Sequence, residues 1–512
     1  MVNAKTILHT VLLMIAALLF ALQAEAQYFN KRIDFMGLNM FENGFAIETL
    51  SDENYLLFFG AIDFDTQFGI GRIGVSPQGE VVSEIFDNYT NFPLYMGTAN
   101  TSTKLEDGTF ISSGTRGWYN SEMESLITLN KYHVDGTLEW IRFYGDSIHQ
   151  SAGQSTALLN NGNYALAGWK QVPGPDLTKG FLIITDESGN LLTLTEYGGS
   201  AVDAFFSINS TFDGGTILGG YTRSFGFPGM KNHYIVKTDS LGNQQWWRVI
   251  GSPREDCAAS VTQSSDGNYV FCGCWNEYTM GTSEHFTFPY IGKLDAAGEL
   301  IWEHIYEDLF EGSNYYTRLR IIKELENTDL IVIGERAGAN IGIMMRTDKD
   351  GNVIWYREYM HPTTQSYGAA NIINDVIPDG EGGFVCGGWL FGSMLDSIQG
   401  QDLWVFRTDS MGCLVPGCHI VDNVEVHEEE VLVSMFPNPV QDLLSVHLKS
   451  GSMPRGAELE LFDMHGRRHS TTAINPGATT YILQLGHLPA GMYVLRCVTA
   501  GEVVWSGKVV KQ

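Results

Sequence analysis

Between about residue 30 and residue 418 the chain is a succession of short runs in which apolar and polar positions alternate. The run HYIVK at His233–Lys237 is followed by the turn TDSLGN and then by QQWWRV. Alternation of period two, closed by Gly, Asn or Asp, predicts half-buried strands joined by tight turns. The turn recurs with its glycine at Gly79, Gly136, Gly189, Gly242, Gly298, Gly351 and Gly412, at spacings of 53 to 61 residues. A second landmark, of the form S-D-G-N-Y-x-x-x-G, recurs with Gly60, Gly114, Gly168, Gly219, Gly273, Gly334 and Gly387. Each repeat then reads as four antiparallel strands, A to D, and seven such units predict an all-β fold built on a seven-bladed β-propeller. The last repeat has a doubtful fourth strand, and Lys31–Phe35 (KRIDF) resembles a D strand. The N-terminal strand is therefore expected to close the last blade and remove its open edge.

Strand direction sorts the connections onto two faces. The A–B and C–D turns are short and uniform. The B–C loops are long and unequal, for example GWKQVPGPDLTKG and WLFGSMLDSIQGQD. Variable loops on a rigid scaffold are where function concentrates, so a binding site is expected on the B–C/D–A face. The candidates are Trp118, Trp169, Arg254, Asp256, Trp275, His285 and Trp389. Aromatic faces beside carboxylates and amides suit sugar rings or peptide chains. A blander reading stands beside this one, because Trp169, Trp275 and Trp389 follow strand-B glycines and can equally fill gaps between blades.

The ends of the chain have a different character. Residues 1–26 have the Lys5 n-region, the apolar run Ile7–Leu22 and the Ala24-Glu25-Ala26 cleavage pattern of a secretory signal peptide. No other segment is long and apolar enough to span a membrane. Residues 419–433 (HIVDNVEVHEEEVLV) are acidic, lack turn signals and read as a linker. With 31 Lys and Arg against 59 Asp and Glu, the net charge is −28, which argues against a nucleic-acid partner. Of the seven cysteines, Cys413 and Cys418 flank a Pro-Gly turn and are expected to form a small disulfide loop. Cys257 and Cys274 are possible cross-strand neighbours, and Cys272 and Cys386 suit buried apolar positions.

The last eighty or so residues contain FPNPVQDLLSV, LELFDMHGRR, LGHLPAGMYVLRC and GKVVKQ in that order. On its own residues this segment is a small all-β domain with turns at Asp463–Gly466 and Pro489–Gly491, expected as a β-sandwich. It resembles the type A sorting domain of the type IX secretion system of Bacteroidetes. The resemblance implies that residues 434–512 engage the secretion machinery. It also implies that the cargo crosses the outer membrane and becomes extracellular or surface-attached. The positions that carry it are Pro437, Asn438, Pro439, Asp442, Gly466, Pro489, Ala490, Gly491, Tyr493 and Lys511. The repeats themselves resemble propeller-type repeats found upstream of such domains, which implies a fold and no single activity.

No catalytic fingerprint of the G-x-S-x-G, H-E-x-x-H, phosphate-loop or dinucleotide type is present. No cofactor and no metal are predicted. The turn TDKDGN at Thr347–Asn352 has carboxylates at alternate positions, but a strand follows where a calcium loop needs further ligands. The D-x-x-G-x-x-x-W spacing loosely resembles the Asp-box of sialidase-type propellers, and Trp140, Trp246, Trp302 and Trp355 are expected to pack between blades. The first reading is a glycan- or protein-binding module rather than an enzyme. A polysaccharide hydrolase or lyase in the propeller channel and a structural surface protein are the alternatives.

Overall fold

Glycine at the turn and alternation on either side of it produce the expected local structure. The seven turn glycines have φ between 73° and 86°, a backbone region that residues with a Cβ rarely adopt. In five of these turns an aspartate bonds the turn together. Asp186, Asp239, Asp295, Asp348 and Asp409 each accept from the backbone N–H groups two and four residues on. This is the plain role of turn aspartates, and it accounts for Asp348 of the TDKDGN turn. The regular elements of the described residues are all strands.

The structure, a computed structural model, describes residues 28–511 apart from 36–40, 51–52, 63–67, 89–93, 98–100, 118–124, 147–148, 175–176, 259, 279–284, 308, 310–316, 337–339, 365–368, 393–400, 415–432, 437–439, 449–456, 464–466, 475–479, 490 and 500–501. The expected signal peptide, most of the expected linker, Trp118, Cys418, Pro437, Asn438, Pro439, Gly466 and Ala490 lie outside the described residues. The chain divides into two compact units, Met1–Pro416 and Gly417–Gln512.

In the first unit, repeats three to six each form a separate four-stranded antiparallel sheet in chain order. The fourth repeat, for example, consists of Asp203–Ser210, Thr216–Thr222, Asn232–Thr238 and Gln244–Ile250. The second repeat has its first strand divided into Leu94–Met96 and Ser102–Lys104. The first and last repeats share one eight-stranded sheet, joined by a single parallel pair between Phe41 and Gln401. The expected N-terminal strand is present: Asn30–Ile33 pairs antiparallel with Gln401–Thr408, Lys31 opposite Val405 and Arg32 opposite Trp404.

The first strands touch one another in order, from Phe41–Thr49 through Ser102–Lys104, Ser151–Leu158, Asp203–Ser210, Ser260–Gln263, Thr317–Glu324 and Ala370–Pro378, and the last touches Phe41–Thr49 again. First strands therefore lie innermost. The core lies between consecutive sheets rather than within one. Leu182 and Ile184 of the third repeat are buried with Phe205 and Leu218 of the fourth. Ile331 and Met344 of the sixth are buried with Cys386 and Phe406 of the seventh.

The seams have a repeated design. The tryptophans expected between repeats each cover the turn glycine of the next repeat. A Cβ on Gly189, Gly298, Gly351 or Gly412 would lie 2.8–3.0 Å from an atom of Trp140, Trp246, Trp302 or Trp355, respectively. Four residues after such positions, the hydroxyls of Tyr144, Tyr197, Tyr306 and Tyr359 donate to the carbonyls of Gly189, Gly242, Gly351 and Gly412 at 2.6–2.7 Å. At the first seam Arg72 substitutes, its Nε donating to the carbonyl of Gly136 at 2.8 Å.

In the second unit a three-stranded sheet (Val433–Phe436, Leu443–Leu448, Thr480–Gln484) and a four-stranded sheet (Arg468–Ala473, Glu458–Asp463, Gly491–Thr499, Glu502–Lys511) share one core. Leu444, Val446 and Leu483 of the first sheet are buried with Leu459, Leu461, Leu495 and Val509 of the second, an arrangement of two sheets face to face. Within it, the Tyr493 hydroxyl donates to the carbonyl of Pro489 at 2.9 Å. Gly491 pairs with Lys511. The backbone of Asp442 accepts from Leu485 N–H at 2.7 Å.

Candidate functional site

One irregularity recurs along the innermost strands. In five repeats the register against the second strand slips by one residue, and the extra residue is Phe45, Gln154, Phe206, Arg320 or Asn374. In four of these repeats a glycine meets the bulged strand: Gly168 and Gly334, which close the second landmark, and Gly220 and Gly388, which follow its closing glycine. A Cβ on Gly168, Gly220, Gly334 or Gly388 would lie only 1.9–2.1 Å from the carbonyl oxygen of Ala152, Ala204, Arg318 or Ile372. Only glycine admits that carbonyl. The strand approaches closely, bulges, and re-aims one side chain, which is what one-residue bulges do.

The residue after each glycine stands directly opposite the inner strand two positions before the bulge. Trp169 opposes Ala152, Tyr221 opposes Ala204, Glu335 opposes Arg318 and Trp389 opposes Ile372. Directly opposed side chains share a face of the sheet. The repeats thus place Trp169 with Gln154, Tyr221 with Phe206, Glu335 with Arg320, and Trp389 with Asn374. The Phe206 and Tyr221 rings stack at 5.8 Å. Arg320 Nη2 bonds Glu335 at 2.9 Å, and Arg318 pairs with the same carboxylate. Burial pushes the Arg320 guanidinium below its ordinary pKa. Trp169 and Trp389 are half-buried.

The fifth repeat is built differently at this level. At the register position where Ala152 faces Trp169, Cys257 and Cys274 form a disulfide. It ties the start of the inner segment to the second strand before ladder pairing begins at Ser260. The Cys257–Cys274 pairing envisaged from sequence is thus present. Cys413 is also disulfide-bonded, while Cys418 lies outside the described residues. Cys272 and Cys386 are buried free thiols.

The remaining candidates separate. Asp256 is buried, and its carboxylate accepts from Ser252 N–H, Ser252 Oγ and Asn276 N–H at 2.7–3.2 Å. Burial raises its pKa to about 6. Asp203 does the same in the preceding repeat, accepting from Gly199 N–H, Thr222 Oγ1 and Ser224 Oγ. Asp256 is therefore accounted for as a cap on its own loop. Arg254 is half-buried in that loop, its N–H donating to Ser252 Oγ at 3.1 Å. Trp275 packs on Tyr290 with ring centroids 5.2 Å apart, in the seam between the fourth and fifth repeats. This is the gap-filling alternative for that residue. His285 opens the strand His285–Leu294, opposite Tyr278.

Two groups were not singled out from the sequence. Towards the A–B end of the inner strands, Lys323 Nζ bonds Asp375 at 2.7 Å. Asp375 also accepts from Ile47 N–H and Val376 N–H. Nearby Glu48 accepts from Ser102 Oγ at 2.8 Å, and burial, with a smaller contribution from Asp375, raises its pKa to about 7. The second group is an internal latch. The cation preceding the C–D turn reaches the A–B turn aspartate in Lys237–Asp213, Lys293–Asp266, Arg346–Asp329 and Arg407–Asp379, at 2.7–2.9 Å. The recurrence of Lys or Arg just before the turn aspartate was its sequence signal. Among the described residues no group of three or more His, Cys, Asp or Glu side chains is placed to hold a metal ion. No helix of the described residues is long and apolar enough to cross a membrane.

Residues 434–512 match the family described as the secretion system C-terminal sorting domain. The chain carries the sorting domain of a type IX secretion cargo, which indicates export by that route. No curated protein matches the chain. Solved structures of similar fold include the Pan2 WD40 domain of Neurospora crassa, at 11% identity and TM-score 0.41, covering 71% of this chain and 88% of that one. Another is a Penicillium chrysogenum α-L-arabinanase complexed with arabinobiose, at 14% identity and TM-score 0.42, covering 75% and 98%. A third is the NanB sialidase of Streptococcus pneumoniae, at 11% and 0.39, covering 57% and 64%.

Proposed function

We propose that residues 27–418 form a seven-bladed β-propeller whose B–C/D–A mouth binds glycan outside the cell. The eight-stranded sheet counts as two blades joined at Phe41 and Gln401, and Asn30–Ile33 supplies the outer strand of the seventh. The cyclic order of contacts between first strands supports this count. Residues 1–26 direct the chain across the inner membrane, 419–433 link, and 434–512 engage the secretion machinery. The product is extracellular or surface-attached.

The observation that carries the binding reading is the set of bulge positions. Half-buried rings, Trp169 and Trp389, stand opposite the first strands of the third and seventh repeats, beside the buried amides Gln154 and Asn374. Aromatic rings offer flat apolar faces on which sugar rings stack. A hydrolase or lyase would need carboxylates at liberty in the channel. Asp375 already accepts from Lys323 and two backbone N–H groups, which leaves Glu48 without a second free carboxylate beside it among the described residues. The test is to incubate the full chain with a panel of neutral and acidic polysaccharides, recording retention and, by mass spectrometry, shortened products. Retention without product, weakened by Trp169→Ala or Trp389→Ala, is expected. Product formation would replace this reading with the enzyme. No retention across the panel would favour a structural surface protein.

A further inference from the structure

The sixth repeat departs from the others at the bulge level. Where the third, fourth and seventh repeats carry an amide or a ring, it carries Arg318 and Arg320 on the inner strand and Glu335 opposite. One carboxylate is shared by two guanidinium groups. By contrast Lys237 is matched by Asp213, Lys293 by Asp266, and Arg407 by both Asp379 and Glu381. The sixth repeat's trio therefore carries a surplus positive charge in a chain of net charge −28. The Glu335 side chain is 3% exposed, whereas that of Arg318 is 46% exposed. Arg320 Nε is buried and has no hydrogen-bond partner among the described residues. A half-buried guanidinium with an unused Nε donor is a demanding group to leave unanswered.

We propose that this position reads a carboxylate, and that the ligand of the bulge positions is a uronic-acid polymer. The inference rests on the glycan-binding reading and deepens it. Arginine suits a carboxylate because its planar fork can present two parallel donors to it. The half-buried Trp169 and Trp389 would take ring faces. Generic attraction for polyanions is not available to a chain this acidic, since long-range repulsion opposes it. Selectivity would come from the local arginine pair, acting within a screening length of about 8 Å at physiological salt.

The test uses the full chain with polygalacturonate and alginate, each compared with its methyl ester, in affinity electrophoresis at fixed salt. Retention by the acid forms about tenfold or more above the esters is expected, the scale of one charge-assisted contact. The triple variant Arg318→Gln/Arg320→Gln/Glu335→Gln removes the whole trio without leaving a buried charge unpaired. It should abolish the preference while keeping the residual binding to esters. Arg320→Lys keeps the charge and loses the fork, and should reduce the preference part-way. Equal binding of acid and ester, unchanged in the triple variant, would overturn the inference and leave the glycan reading standing. So would binding to neutral polysaccharides alone. Binding to neither acid, ester nor neutral glycan would overturn both.

Discussion

The hydroxyl of Tyr359 donates to the carbonyl oxygen of Gly412, 53 residues later in the chain, at 2.7 Å. The bond joins the outer strand of the sixth repeat to the turn of the seventh, and three other tyrosines make the same bond. Each is a buried polar link across a seam, and at the sixth–seventh seam Trp355 Nε1 donates to the carbonyl of Ser410 beside it at 3.0 Å. Tyr359→Phe keeps the ring and leaves the Gly412 carbonyl unpaired. A loss of about 1–2 kcal/mol is expected in urea denaturation, and Tyr197→Phe should behave alike. A midpoint unchanged by both substitutions would mean that the ring alone secures the seam.

The two kinds of glycine should respond very differently to an added methyl group. Gly380 has φ +79° and nothing near its missing Cβ, so Gly380→Ala should cost only the strain of its backbone, about 1–2 kcal/mol. Gly388 has the carbonyl of Ile372 at 1.9 Å from that point. Gly388→Ala must push the inner strand away, and a loss above about 3 kcal/mol, or failure to fold, is expected. Circular dichroism melts of the two variants side by side decide the matter, and comparable losses would contradict the close approach.

Cys257 and Cys274 are 17 residues apart. Closing a loop of that size contributes about 3 kcal/mol through the unfolded state. The double variant Cys257→Ser/Cys274→Ser should lower the denaturation midpoint accordingly and become less sensitive to reductant than the parent protein. A variant as stable as the parent would show that Asp256 and its hydrogen bonds alone hold this loop.

Glu48 makes stability depend on pH in a direction opposite to that of an ordinary paired carboxylate. Its folded pKa of about 7 lies above the ordinary value of 4.5, so the folded form holds the proton more tightly. That contribution is present at low pH and is lost as pH rises from about 4.5 through 7. Glu48→Gln cannot ionise and still accepts from Ser102. Its melting temperature relative to the parent should therefore climb between pH 5 and pH 8. A difference that stays flat with pH would show that Glu48 is not held protonated.

Much of this fold was legible because its signals are local. A turn that needs positive φ selects glycine, as at Gly242, and alternation about it sets which residues are buried. The N-terminal strand was legible from its likeness to other D strands. The bulges were not, since the slip at Arg320 depends on a carbonyl meeting Gly334 across two strands, and no short window of sequence contains both. Gly168 and Gly334 were visible only as hairpin closers. Asp256 is a candidate by its place in the D–A loop, which says nothing of its burial. Its burial follows from capping N–H groups that only the folded loop brings together. The Lys237–Asp213 latch has a sequence trace in every later repeat, but the partner aspartate lies in another turn 24 residues away.

The pairing of Asn30–Ile33 with Gln401–Thr408 has a consequence for the order in which the protein matures. Arg32 and Asp402 meet across 370 residues, so the strand translated first finds its partner only after nearly all the repeats have been made. Sheets such as Asp203–Ile250 can assemble from neighbours in sequence, whereas the joining of the two ends is a single long-range closure with a large entropic cost. Until it occurs, Gln401–Thr408 offers an unpaired edge to any passing strand. Completion of the last sheet is thus expected to be the late, slow step that separates an export-ready chain from a finished one.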